Sequence, residues 1–183
     1  RTEIKVYDKL TDWLKAIEQS KFVYKWKFRL DQKFQPSPRF THLFQMKAVG
    51  GSNSSHPMIT FSARKGRRER PDKFELRYGT QNKSKKIMEV QLLPFLGQWL
   101  LVVFKATFGE KGKLVIKITS IKNGAQLLYY KNETIKMWKN DADFLRPKWG
   151  IYRSLKNKDA LRDEVVDFAD IEIQANYKST NLK

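Results

Sequence analysis

The chain has 183 residues, 40% of them hydrophobic and 13% aromatic, which is long and apolar enough to bury a sizeable core and argues against disorder. Its 37 Lys and Arg against 19 Asp and Glu give a net charge of +18, which favours a polyanionic partner without choosing among nucleic acid, acidic polysaccharide and an anionic membrane. Cysteine is absent, which excludes a disulfide framework and a thiolate metal site, and no apolar run reaches the roughly 18 residues of a membrane span.

In chain order, Arg1 to Tyr7 alternates, with Ile4 and Val6 on one side and Arg1, Glu3, Lys5 and Tyr7 on the other, which predicts a strand with a polar face. Leu10, Trp13, Leu14 and Ile17 then recur at helical spacing after Thr11, a suitable N-cap, and predict one short helix from Asp12 to Gln19. Phe22 to Leu30 alternates most clearly: Phe22, Tyr24, Trp26, Phe28 and Leu30 form an aromatic core face, and Val23, Lys25, Lys27 and Arg29 a basic one. After the Pro36 and Pro38 turn, Phe40 to Ala48 is a strand with Phe40, His42, Phe44, Met46 and Ala48 on one side and Thr41, Leu43, Gln45 and Lys47 on the other.

Met58 to Arg64 is a further strand, followed by the basic loop Arg64 to Lys73. Segments 73–79, 86–93, 98–108, 113–121 and 126–130 continue the run of short strands, with turns such as Asn123-Gly124 between them. Arg146 to Ser154, RPKWGIYRS, places Lys148, Gly150 and Tyr152 on one side and Trp149 and Ile151 on the other. Val165 to Ile173 is the last strand, with Val165, Asp167, Ala169, Ile171 and Ile173 on one side. Many short strands, regular turns and a single helix predict a β-sandwich or jelly roll. No internal repeat or second domain is visible, so residues 1–183 are read as one domain, and the start at Arg1 without a methionine leads us to expect sequence upstream.

Three stretches in order, Arg1-Thr2-Glu3, Gln45-Met46-Lys47 and Lys148-Trp149-Gly150-Ile151-Tyr152, resemble the R-[TS]-E, Q-x-[HK] and K-x-G-x-Y strands of the jelly-roll polysaccharide lyases, a superfamily that includes alginate-lyase-like, glucuronan-lyase-like and heparin-lyase-like proteins. The resemblance implies an all-β fold, a concanavalin-like sandwich of two antiparallel sheets. It also implies β-elimination on a uronic-acid-containing polysaccharide, glucuronan or a related polyuronate being favoured, by a secreted monomer. No cofactor is required, although a structural calcium is compatible with the family, and neither a nucleic-acid nor a membrane partner is expected.

Such an elimination needs the uronate carboxylate neutralised, a base for the C5 proton and an acid for the departing O4. The resemblance assigns carboxylate recognition to Gln45 and Arg1 and the acid to Tyr152. Many members carry a histidine two residues after the glutamine, where this chain has Lys47. The base is therefore open among Tyr152, His42, Tyr7 and a lysine, with His42 placed by alternation on the core face. Lys47, Lys148, Lys5 and the row Lys25, Lys27 and Arg29 are candidate substrate-binding cations, and Glu3 a candidate orienter for Arg1 or Lys47.

The competing function is a noncatalytic carbohydrate-binding jelly roll for acidic glycans. A glycoside hydrolase of this fold would carry an E-x-D-x-x-E strand, and Asp167, Asp170 and Glu172 lack that spacing.

Overall fold

The computed structural model describes residues 2–5, 12–79, 83–156 and 158–176; Arg1, Tyr7 and Thr11 lie outside the described residues. It is all-β, built from β1 (Thr2–Lys5), β2 (Lys21–Leu30), β3 (Thr41–Val49), β4 (Ile59–Arg64), β5 (Lys73–Gly79), β6 (Ser84–Gln91), β7 (Trp99–Thr107), β8 (Gly112–Ser120), β9 (Gln126–Ile135), β10 (Phe144–Arg153) and β11 (Val166–Asn176). The first sheet has the order β1-β10-β3-β4-β5-β6 and the second β11-β2-β7-β8-β9. Every pairing within them is antiparallel.

Period-two sequence becomes a sandwich because each sheet turns its apolar positions inward. From β2 come Phe22, Tyr24, Trp26, Phe28 and Leu30, and facing them from the first sheet stand Phe44, Met46, Phe61, Phe74, Leu76 and Trp149, all buried. Trp26 sits at the centre. It stacks on Phe44 at 4.7 Å and on Phe61 at 5.8 Å and meets the edge of Trp149 at 5.9 Å.

The helix expected over 12–19 is shorter. One 3₁₀ turn, Asp12–Leu14, is followed by Ala16, which exchanges backbone hydrogen bonds with Leu145 of β10. Gln19 then takes φ 66°, which no helix continues through. Pairing to β10 thus overrides the apolar spacing of Trp13 and Ile17, both of which stay exposed.

Register shifts interrupt five of the strand pairs, and those in β3 and β11 change the faces expected from simple alternation. In β3, His42 opposes Ser62 and Phe44 opposes Phe61, so Leu43 is an extra residue against β4 and reverses the face of what precedes it. In β11 the register shifts between Ala169 and Glu172, around Asp170 at φ 50°. Val166 and Phe168 pack on the core before the shift, and Ile173 and Ala175 after it. The single apolar side expected from Val165 to Ile173 is therefore not formed.

Gly150 joins β1 to the sheet. Its φ is +132°, and a Cβ there would run into the Thr2 carbonyl oxygen of the paired strand. Gly150→Ala is expected to push β1 off β10 and cost roughly 1–3 kcal/mol, read as a lower midpoint in urea unfolding. An unchanged midpoint would contradict this packing of β1.

Candidate active site

Directly opposed residues in an antiparallel sheet share a face, so the register lays out the outer face of the first sheet. One row runs Lys5, Lys148, Gln45, Thr60, Arg77 across β1, β10, β3, β4 and β5. A second row runs Tyr152, His42, Ser62, Glu75 across β10, β3, β4 and β5. Thr60 and Ser62 are two residues apart on β4, which separates the rows by about 7 Å, the width of one sugar ring. Glu3 opposes Gly150 and Lys47 opposes Arg146 on the same face.

Alternation alone puts His42 in the core. The bulge at Leu43 corrects this and turns the imidazole outward beside Tyr152. Its ring centroid lies 5.9 Å from that of Tyr152 and 4.5 Å from that of Phe40, and Phe40 meets the Tyr152 edge at 5.6 Å. His42 Nδ1 is 2.6 Å from Ser62 Oγ, which itself donates to Thr60 Oγ1 at 3.4 Å. In the tautomer in which Nδ1–H donates to Ser62 Oγ, the lone pair is left on Nε2.

Burial, and then the positive charges of Arg77 and Arg64, lower the pKa of His42 from 6.5 to about 4. The imidazole is therefore neutral at neutral pH and able to accept a proton. Above pH 6.5 both folded and unfolded chains hold it neutral, so it has no effect on stability there. As pH falls from 6.5 towards 4, the unfolded chain binds a proton that the folded one refuses, and stability declines by about 3 kcal/mol in all. His42→Gln should remove most of this loss, seen by comparing unfolding free energies at pH 7 and pH 4. Equal pH dependence in the two proteins would contradict the assignment.

Gln45 and Lys148 form the polar floor of the first row, and each is only about one part in twenty-five exposed or less, at 3% and 4%. Gln45 Nε2 donates to Glu3 Oε1, so Glu3 orients the amide, and β1 borders this end of the row as the edge strand next to β10. Arg1, the other candidate for carboxylate recognition, lies outside the described residues.

Lys25, Lys27 and Arg29 are not part of this face. They project from the outside of the second sheet, where each meets an acid of β11: Glu172 at 3.6 Å, Asp170 at 2.5 Å and Asp167 at 2.8 Å. The sheet order, which places β2 beside β11 and β7, puts these three candidate substrate-binding cations on a different face from Tyr152.

The cations that do flank the second row are Arg64 and Arg77. Arg77 Nη1 donates to Glu75 Oε2 at 2.8 Å, and Arg64 Nε lies 3.4 Å from the same oxygen. Burial lowers the pKa of Arg64. Neither arginine stands out in the sequence, although the alternation of Lys73, Glu75 and Arg77 against Phe74, Leu76 and Tyr78 carries the signal. Among the described residues, no cluster of three or more His, Cys, Asp or Glu is placed to hold a metal ion, and no helix is long and apolar enough to cross a membrane.

No protein-family model and no curated protein matches the sequence. Solved structures do resemble the fold. The endo-β-1,4-glucuronan lyase of the fungus Trichoderma reesei superposes with a TM-score of 0.60 at 15% identity, over 94% of this chain and 73% of that one. A marine alginate lyase from Aplysia kurodai gives 0.56 at 15% identity, over 87% and 72%. An alginate lyase from Pseudomonas aeruginosa gives 0.57 at 14% identity, over 86% of this chain and 66% of that one. The chain thus has the jelly-roll fold found in these polysaccharide lyases.

Proposed function

We propose that the protein is a polysaccharide lyase that cleaves a uronic-acid-containing polysaccharide by β-elimination, with glucuronan or a related polyuronate as substrate. The observation that carries this reading is the meeting of Tyr152, His42 and Gln45 on one face of a sheet, beside Lys148, Arg64 and Arg77. The jelly-roll fold, shared with glucuronan and alginate lyases, supports it.

In this reading Gln45, with Arg1 and Lys148, takes the uronate carboxylate, and the nearby cations stabilise the charge that develops as C5 loses its proton. His42 Nε2 accepts that proton. The C5–H electron pair forms the C4–C5 double bond, the C4–O4 bond breaks, and the Tyr152 hydroxyl protonates O4. The imidazolium then returns a proton to the tyrosinate beside it, so no water is consumed. Lys47 and Lys5 bind the flanking acidic sugars, and the protein acts outside the cell, as a monomer.

One observation favours a second reading, a noncatalytic module for acidic glycans: Gln45 is covered and its amide is engaged by Glu3. A panel of acidic polysaccharides separates the two. Appearance of an ultraviolet-absorbing unsaturated product on polyglucuronate supports the lyase, and tight binding to every member without product supports the module and rejects the lyase.

A further inference from the structure

The outside of the second sheet carries cations that elimination does not use. Lys25, Lys27 and Arg29 are paired to β11, and Lys113 and Lys131 share Glu133 at 3.0 and 2.9 Å. Lys21, Lys105 and Lys117 are exposed, and among the described residues they meet no carboxylate within ion-pair distance.

These three are not scattered. Lys105 opposes Val23, two residues from Lys21, and Lys117 opposes Val103, two residues from Lys105. They therefore follow one diagonal across β2, β7 and β8, with successive residues about 7–8 Å apart. The diagonal ends at Tyr129, which opposes Lys117 and is 44% exposed. Val23, Val103 and Val115 lie alongside it, and a shallow depression of about 250 Å³ opens between Lys21, Lys105 and Lys113 over Val23 and Val115.

We propose that this diagonal is a second, noncatalytic binding surface for an extended acidic polysaccharide chain, held by Lys21, Lys105 and Lys117 and stacked on Tyr129. A single line of ammonium groups matches the charges of one extended polyanion, and the valines and the tyrosine ring suit the apolar faces of its sugars. Single-stranded nucleic acid is bound on successive aromatic platforms, whereas this stripe offers one exposed ring. Because the surface lies on the opposite side of the sandwich from Tyr152, it would tether a long polymer without occupying the catalytic face, and avidity would favour polymers over short oligosaccharides.

The test is affinity of the full chain for high-molecular-mass polyglucuronate at physiological salt, in a Tyr152→Phe background that leaves the polymer intact. Lys21→Gln/Lys105→Gln/Lys117→Gln is expected to weaken binding roughly tenfold or more, and a charge-matched control, Lys33→Gln/Lys122→Gln/Lys156→Gln, by less than about twofold. Tyr129→Ala should weaken binding to polyglucuronate but not to polyglutamate. Equal losses in the two triple variants would overturn the proposal, as would a larger loss on duplex DNA or phosphatidylserine vesicles than on the polysaccharide. The readout needs no turnover, so a protein that never yields product but loses polymer affinity in the first triple variant would reject the lyase and keep this surface.

Discussion

Tyr152→Phe is expected to lower turnover of polyglucuronate by about 10²–10⁴-fold while leaving its affinity for the polymer within about twofold. The ring remains, so its edge contact with Phe40 and its place opposite His42 persist, and only the hydroxyl is lost. Without it O4 must leave as an alkoxide, and the imidazolium has no neighbouring tyrosinate to discharge to. His42→Gln should also fall by about 10²–10⁴-fold, and the double variant should fall little further than the worse single one, because the two groups serve one proton circuit. A Tyr152→Phe protein with more than a tenth of normal turnover would remove the phenol from the mechanism. Because His42 is neutral down to about pH 4, loss of activity on acidification is expected near that value in kcat/KM, well below 6.5.

Trp26→Ala should be the most damaging single change to the fold, at about 3–5 kcal/mol. The indole is 1% exposed and contacts Phe44, Phe61 and Trp149, which belong to three strands of the facing sheet. Its removal leaves a cavity under β3 and β10, the strands that carry Gln45, His42, Lys148 and Tyr152. Denaturant unfolding should register this as a reduced midpoint with an unchanged slope. A loss below about 1 kcal/mol would show that the aromatic cluster closes over the gap.

The strands were legible because period two holds over long runs within them. Lys73–Gly79 matches its expected limits, and Phe22 to Leu30 turns inward the side chains that alternation selects. What alternation cannot supply is which sheet an outward side chain belongs to. Lys25, Lys27 and Arg29 read as a row of cations in the sequence, and only the long-range pairing that sets β2 between β11 and β7 shows that this row faces away from Tyr152.

Bulges are the second illegible feature. One extra residue at Leu43 carries His42 from the core side to the side of Tyr152, and nothing in THLFQMK marks the insertion. Lys148 and Tyr152 fall on the face that alternation selects even though the register shifts between Trp149 and Tyr152: they are four positions apart on β10, and their partners Gln45 and His42 three apart on β3. The partnership of Arg64 and Arg77 around Glu75 joins two strands and is invisible within either.

The most direct test is the structure of the product. After incubation with polyglucuronate, mass spectrometry and NMR of the released oligosaccharides should find a C4–C5 double bond in the non-reducing terminal sugar, with no water gained. Saturated ends carrying an added water would mean hydrolysis, and an uncut polymer bound by the chain would mean a module; either result contradicts elimination on the face shared by Tyr152, His42 and Gln45.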